Sequence, residues 1–290
     1  MDRLRRLTTL WNWLPAFRAV AETQHLPAAS KQLHVSPSAL SRTIRLLEED
    51  VGQPLFNRVG RGIELNATGQ RLLSAVRDSM RLVDEALGAM GGKQFVGPVK
   101  IASFEPLTSR YVLPALGRLQ AQHPELLPHL TATPSDLHNT ALLQGKVDIA
   151  LAIDPRPHDE ISTEKLATLP CSIYVGADHP LHGTRPTREQ ILEHGFVAPD
   201  ETDGIRRDGW PADVRRTVGM HADLGTALEV VRRGAYVGIL PDELAAPYSE
   251  LMAVERDVSE VVVYALLRKS LGFEGRAEVV ISAVRSELGG

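Results

Sequence analysis

The 290 residues include a single cysteine, Cys171, and aromatic side chains make up only 5% of the chain. One thiol allows neither an internal disulfide nor a cysteine-built zinc cluster, which fits a reducing compartment. Long apolar runs are missing too. The longest clear one, residues 261–267, has the length of a strand and falls far short of the roughly 18 residues of a membrane helix. The N-terminus has the arginines of a signal peptide, but Thr8, Thr9 and Asn12 break the apolar stretch before an h-region can form. The expected location is the cytoplasm, with no membrane partner. No glycine-rich loop of dinucleotide or Walker type occurs, and the isolated Gly-Pro and Gly-Gly pairs read as turn and linker signals. The ten histidines are scattered, and His179-Pro180-Leu181-His182 has no third ligand in spacing, so neither metal nor cofactor is expected. Cys171 opens an apolar strand with no His-Asp pattern beside it, which reads as a structural thiol. No catalytic residue is assigned, and an enzyme is not expected.

What remains is ordinary for a globular protein: 43% hydrophobic and 23% charged residues, with length for two or three domains. The net charge of -4 hides an asymmetry. Residues 1–72 hold ten Lys or Arg against six Asp or Glu, a local +4, which leaves -8 for the rest. A modestly basic N-terminal segment is compatible with nucleic acid without establishing it.

Leu14, Phe17 and Ala21 recur at helical spacing, and Ala28, Ala29 and Leu33 form a second short apolar face after Pro27. At Val35-Ser36-Pro37 a third helix begins, with Ser36 placed to cap it and Pro37 in its first turn. Its apolar positions Leu40, Ile44, Leu47 and Val51 leave Ser38, Ser41, Arg42 and Arg45 on the other side, and Gly52 ends it. The pattern is a tight helix-turn-helix whose outer face suits a major groove: arginine pairs bidentately with guanine, serine donates to phosphate or a base edge, and the helix N-terminus attracts phosphate. A solvated polar face on a small helical bundle would look the same on this helix alone.

Two short strand-like runs around Gly60-Arg61-Gly62 then read as a hairpin, a wing with Arg58 and Arg61 near its tip. Here the sequence resembles the LysR-type transcriptional regulators. The match is carried by Ala28-Ala29, Leu33, Val35-Ser36-Pro37-Ser38-Ala39-Leu40-Ser41, Leu46-Leu47-Glu48, Gly52, Pro54-Leu55-Phe56, Arg58, Leu65 and Gly69. It departs at His25-Leu26-Pro27, where the family usually has a glycine-serine-aromatic turn, and at Asn66, which replaces a capping threonine and caps equally well. Arg42 and Ser41 are expected to read bases, Arg45 to touch phosphate or base, and Arg58 and Arg61 to reach the backbone or minor groove, with Ser36 and Ser38 beside them.

After Asn66 a long amphipathic helix of about 36 Å runs to about Met90. Leu72 or Leu73, Val76, Met80, Val83, Leu87 and Met90 keep three-four spacing, a narrow seam of the coiled-coil kind, although packing on its own domain would use the same stripe. The resemblance implies pairing, so Val76, Met80, Val83 and Leu87 are expected to lie in a dimer seam.

Beyond Gly91-Gly92 the pattern changes. Residues 99–103, 129–133, 147–153, 172–176, 195–198, 236–240 and 261–267 read as strands with helical segments between or after them, an alternation that implies parallel α/β layers. Leu113-Pro114-Ala115-Leu116, Val147-Asp148-Ile149-Ala150 and Gly234-Ala235-Tyr236-Val237-Gly238-Ile239-Leu240-Pro241 resemble the family's effector-binding half. The resemblance thus implies an α/β chain with an N-terminal all-α winged helix-turn-helix (1–66), a linker and dimerisation helix (67–92) and an effector-binding domain (93–290). That domain would hold two Rossmann-like subdomains, 93–168 with 269–290 and 169–268, resembling a periplasmic binding protein. In such sheets ligands bind beyond the carboxyl ends of strands. Ser103, Phe104, Glu105 and Thr108 follow the first strand, and the two hydroxyls with free helix amides would seat a carboxylate, whereas Glu105 favours a cation. Ser135 follows the second strand, and Thr202 and His221 are expected in loops of the other subdomain.

The expected function is a sequence-specific DNA-binding transcriptional regulator controlled by a small-molecule effector, with a carboxylate favoured. The resemblance implies a homodimer or a tetramer built from dimers, double-stranded promoter DNA as partner, and admits RNA polymerase as another. The alternative is a small-molecule binding protein whose helix-turn-helix serves as a structural or interaction module without reading DNA.

Overall fold

The computed structural model describes residues 3–60, 62–90, 95–199, 208–210, 215–270 and 275–289. Arg61, Thr202 and the Gly91-Gly92 pair lie outside them. The chain divides into two compact bodies, one of Met1–Gln94 with Leu143–Lys146, the other of Phe95–Leu142 with Val147–Gly290. Among the described residues no helix is long and apolar enough to cross a membrane.

The first body consists of α1 (Arg3–Thr23), α2 (Leu26–Leu33), α3 (Pro37–Val51), the hairpin strands β1 (Phe56–Val59) and β2 (Gly62–Leu65), and α4 (Ala67–Met90). Ser36 holds an extended backbone and accepts the Ala39 N–H on its hydroxyl at 3.2 Å, satisfying one of the orphan amides at the start of α3. Asn66 does the same for α4, accepting the Gly69 N–H at 2.8 Å. Phe17, Ala29, Leu40, Leu47, Leu55, Leu73 and Val76 close one core, in which Phe17 meets Phe56 edge-on at 5.7 Å.

In the second body the strands are β3 (Gly97–Ser103), β4 (Leu126–Ala132), β5 (Ile149–Ile153), β6 (Ile161–Val175), β7 (Gly195–Ala198), β8 (Thr217–His221), β9 (Val237–Pro241) and β10 (Met252–Arg268). The helices are α5 (Leu113–Gln122), α6 (His138–Leu143), α7 (Arg188–Leu192), α8 (Leu224–Arg232), α9 (Asp242–Ala245) and α10 (Gly275–Leu288). They build one sheet in the order β4-β3-β5-β10-β6-β9-β7-β8. β3, β4 and β5 run parallel to one another, and so do β7, β8 and β9. The sheet is therefore mixed and not parallel throughout: β6 and β10 form a long antiparallel pair that joins the two parallel sets. These strands are longer than the apolar runs at 172–176 and 261–267 suggest, because Ser162-Thr163-Glu164-Lys165 of β6 and Glu255, Ser259 and Glu260 of β10 carry polar side chains through pairing that only the partner strand supplies. β10 absorbs register shifts between Ala253 and Ser259, and Asp257 there adopts φ 53, a left-handed conformation that aspartate tolerates.

Candidate functional site

The first body presents the helix-turn-helix face. Leu40, Ile44 and Leu47 of α3 are buried in the core, which forces Ser38, Ser41, Arg42 and Arg45 outward, where all four are exposed, as is Ser36. The Ser36 and Ser38 hydroxyls lie 3.1 Å apart at the open amide end of the helix. Arg45 shares its charge with Glu49, at 3.4 Å and with both side chains largely exposed, while no ion pair engages Arg42 among the described residues. The wing is clamped to this helix by a residue that the sequence offers only as part of a motif: Glu48 Oε1 accepts the Leu55 N–H at 2.7 Å and the Phe56 N–H at 3.3 Å. Asn66 adds a second clamp, its amide donating to the Pro54 carbonyl at 2.8 Å. Gly69 admits no side chain, since a Cβ there would come within 2.2 Å of the Leu55 carbonyl oxygen. Arg58 projects exposed from β1. The result is an exposed, arginine-bearing helix face beside a wing braced by Glu48 and Asn66.

On α4 the expected seam divides. Val76 is 2% exposed and belongs to the core of its own body with Leu73, and Met80 packs against that core. Val76 therefore has no surface left for a partner, because α1 takes up that side of the helix; Glu22 of α1 pairs with Arg77 at 2.8 Å. Burial alone would raise the Glu22 pKa, but hydrogen bonds and charge from Arg77 and Arg18 override it and hold the carboxyl below its ordinary range. Val83 and Leu87 remain 49% and 64% exposed, joined by Leu82.

The second body contains a cavity of about 730 Å³. All six parallel strands deliver their carboxyl ends to it: Phe104 and Glu105 after β3, Thr133 to Asp136 after β4, Arg156 after β5, Pro199 after β7, Asp223 after β8 and Pro241 at the end of β9. Cys171 of β6 and Val261 of β10 complete the wall. The two parallel sets meet at its rim, where Gly225 sits so close to the Glu105 carbonyl that a Cβ would approach it to 2.9 Å.

Of the expected effector residues the cavity brings together Phe104, Glu105 and Ser135. Ser103 is not in its wall; the residue is 2% exposed with a buried hydroxyl. Thr108 also stands apart, opening a π-helical turn, and its N–H already donates to the Phe104 carbonyl ahead of that turn at 3.1 Å. The seat for a carboxylate expected at 103–108 is thus not assembled in this cavity, since neither Ser103 nor Thr108 lines it and the Thr108 amide is already bonded. His221 ends β8 instead of lying in a loop; its ring nitrogen is 3.4 Å from the Pro199 carbonyl, outside the cavity wall.

Sequence reasoning missed Arg156, Asp208 and Asp223. Asp223 was visible as a helix cap: it accepts the Thr226 N–H at 3.0 Å at the start of α8. Asp208 gave no signal. It forms a buried pair with Arg216 at 2.6 Å, the two side chains 7% and 3% exposed, and the guanidinium lies against the rings of Trp210 and Phe196. Its second oxygen accepts the Trp210 N–H. The Cys171 thiol is pushed up to about 12 by burial, with Asp242 and Asp208 adding to the effect against a hydrogen bond involving Ser259. No group of three or more metal-ligating side chains occurs among the described residues.

Comparison with known proteins matches both bodies. The model for the bacterial regulatory helix-turn-helix protein, lysR family, covers residues 11–70, and that for the LysR substrate binding domain covers residues 92–288. The chain is 31% identical over 184 residues to the RuBisCO operon transcriptional regulator of Acidithiobacillus ferrooxidans, which covers 62% of this chain but only 57% of that protein's length. It is 31% identical over 243 residues to the uncharacterized HTH-type transcriptional regulator YybE of Bacillus subtilis, covering 80% of this chain and 82% of that protein. A full-length OxyR variant from Pseudomonas aeruginosa superposes with a TM-score of 0.74 over 94% of this chain and 93% of the other; at 19% identity that likeness speaks to fold alone.

Proposed function

Because the chain belongs to the LysR family of bacterial helix-turn-helix regulators, we propose that it binds a specific promoter sequence through α3 and the wing and responds to a small molecule held in the cavity of its second body. One observation carries the DNA half of this reading: α3 buries Leu40, Ile44 and Leu47 while exposing Ser38, Ser41 and Arg42, the last in no ion pair among the described residues, beside a clamped wing. That is the layout that direct readout of base edges requires, since a short helix inserts its N-terminal polar residues and the wing follows the backbone. We assign residues 1–66 to DNA binding, 67–92 to the linking and dimerising helix, and 93–290 to effector binding. A symmetric dimer through α4 would present two reading heads to a two-fold operator. The effector acts by having different affinity for two arrangements of the sheet halves around the cavity.

The test is fluorescence anisotropy with the fragment upstream of the protein's own gene against a scrambled fragment of the same length, across a salt series. The expected result is specific binding roughly a thousandfold or more tighter than non-specific binding. Equal affinity for both fragments at every salt concentration would reject DNA reading and leave a ligand-binding module.

A further inference from the structure

We propose that the cavity of the second body takes a ligand with a cationic amine head and an apolar body, an inference that rests on the effector-binding reading and names the chemical class of that effector. The cavity is mainly hydrocarbon. Phe104, Ile153, Val197, Leu224, Ile239 and Val261 supply wall that rewards an apolar body.

The charges set the rest. Glu105, Asp136, Asp208 and Asp223 line the cavity, against Arg156 as the one cationic residue in the described wall. Arg216, behind the wall, is committed to Asp208. Several of the donors an anionic ligand would need are taken or lie outside the wall. The amide end of α8 faces the cavity, but Asp223 occupies it with its own carboxylate, bound to the Thr226 N–H and hydroxyl at 3.0 Å each. The Thr108 amide is bonded to the Phe104 carbonyl, and Ser103, whose buried hydroxyl has no hydrogen-bond partner among the described residues, does not line the cavity. An incoming carboxylate would therefore meet three exposed carboxylates with Arg156 alone to offset them, whereas an ammonium meets the same three as partners, Glu105 already accepting the Ser109 hydroxyl at 2.7 Å.

The experiment uses the full chain and three probes of one shape, phenethylamine, phenethyl alcohol and phenylpropionate, each at millimolar concentration. Binding is read by thermal shift and by calorimetry, and operator binding is measured alongside. The same set is applied to Glu105→Gln/Asp136→Asn/Asp223→Asn, which keeps shape and keeps a capping residue on α8. These three side chains are solvent-exposed, so each contributes a screened two- to threefold, and the amine's advantage over the alcohol should fall roughly tenfold in the triple variant. The proposal expects the amine to bind more tightly than the alcohol, and the carboxylate most weakly or not at all. Carboxylate binding as tight as the amine would overturn the charge class while leaving the cavity as the effector site. An amine preference unchanged in the triple variant overturns it as well. If no probe binds the wild type while operator binding is intact, the ligand class is rejected and the DNA-binding reading stands.

Discussion

The divided stripe on α4 gives a prediction in which fold and association separate. Val76, 2% exposed in the core of the first body, loses two buried methyl groups in Val76→Ala. At about 0.8 kcal/mol for each, with about 1 kcal/mol for the residual cavity, the cost is about 2–3 kcal/mol of stability. In a body of this size that lowers its unfolding midpoint by roughly 10 °C. Val83→Glu/Leu87→Glu acts on side chains that are 49% and 64% exposed, so the isolated fold changes by only about 0.5 kcal/mol. If both lie in a two-fold seam, four such side chains lose apolar burial of about 1–1.5 kcal/mol each, and association weakens by about 4–6 kcal/mol. Sedimentation equilibrium measures the second effect. Thermal unfolding at a fixed chain concentration measures the first, because the midpoint of a dimer depends on concentration. A Val76→Ala protein that dissociates without losing stability would refute the division, and so would a double glutamate variant that keeps the wild-type mass at micromolar concentration.

Arg42→Ala is expected to cost about 1–3 kcal/mol of operator affinity and relax discrimination at one base pair, which competition with single-base operator variants will detect. Glu48→Gln, which leaves two wing amides with a weaker acceptor at the start of β1, should weaken DNA binding while the effector cavity still binds its ligand. His179 is held below its ordinary pKa, first by burial and then by His194, whose ring centroid is 4.7 Å away. The unfolded chain therefore takes up this proton earlier on acidification; stability is unaffected above about pH 6.5 and falls below it until the folded form is itself protonated, a slope in urea midpoints that His179→Leu should remove. The Cys171 thiol, pushed up to about 12, should react with a thiolate-specific reagent about a thousandfold more slowly than a free cysteine while the fold is intact, and a near-normal rate in the native protein would contradict its burial.

Local chemistry made the first body legible. Ser36, Pro37 and Asn66 announce helix starts through side chains that bond their own neighbours, and the spacing of Leu40, Ile44 and Leu47 fixes which face of α3 is buried. What the stripe on α4 cannot reveal is which apolar residue meets which partner. Val76 and Leu87 have equivalent positions in the pattern, and only the arrival of α1, with Glu22 against Arg77, separates core from surface. The strands of the second body were legible where they are apolar on both faces, as at β5 and β9, whose residues are all buried. β8 and the outer parts of β6 and β10 were not, because their alternating polar residues acquire strand character from neighbours far away in sequence.

The cavity shows the same limit in sharper form. That a ligand should lie beyond the carboxyl ends of strands follows from topology, and Glu105 and Ser135 do stand there. Which donors remain available to it does not follow, because availability depends on what each group has already bonded. Thr108 and Ser103 have the right chemistry and flank the same junction, yet the Phe104 carbonyl takes the amide of one and burial keeps the hydroxyl of the other out of the wall. Asp223 has the wrong charge for an anion site and fills the helix end where that anion would sit. The charge a cavity presents is thus set by which groups folding leaves in its wall, and here the described wall holds four carboxylates, Asp208 among them already paired with Arg216, and one arginine around hydrocarbon.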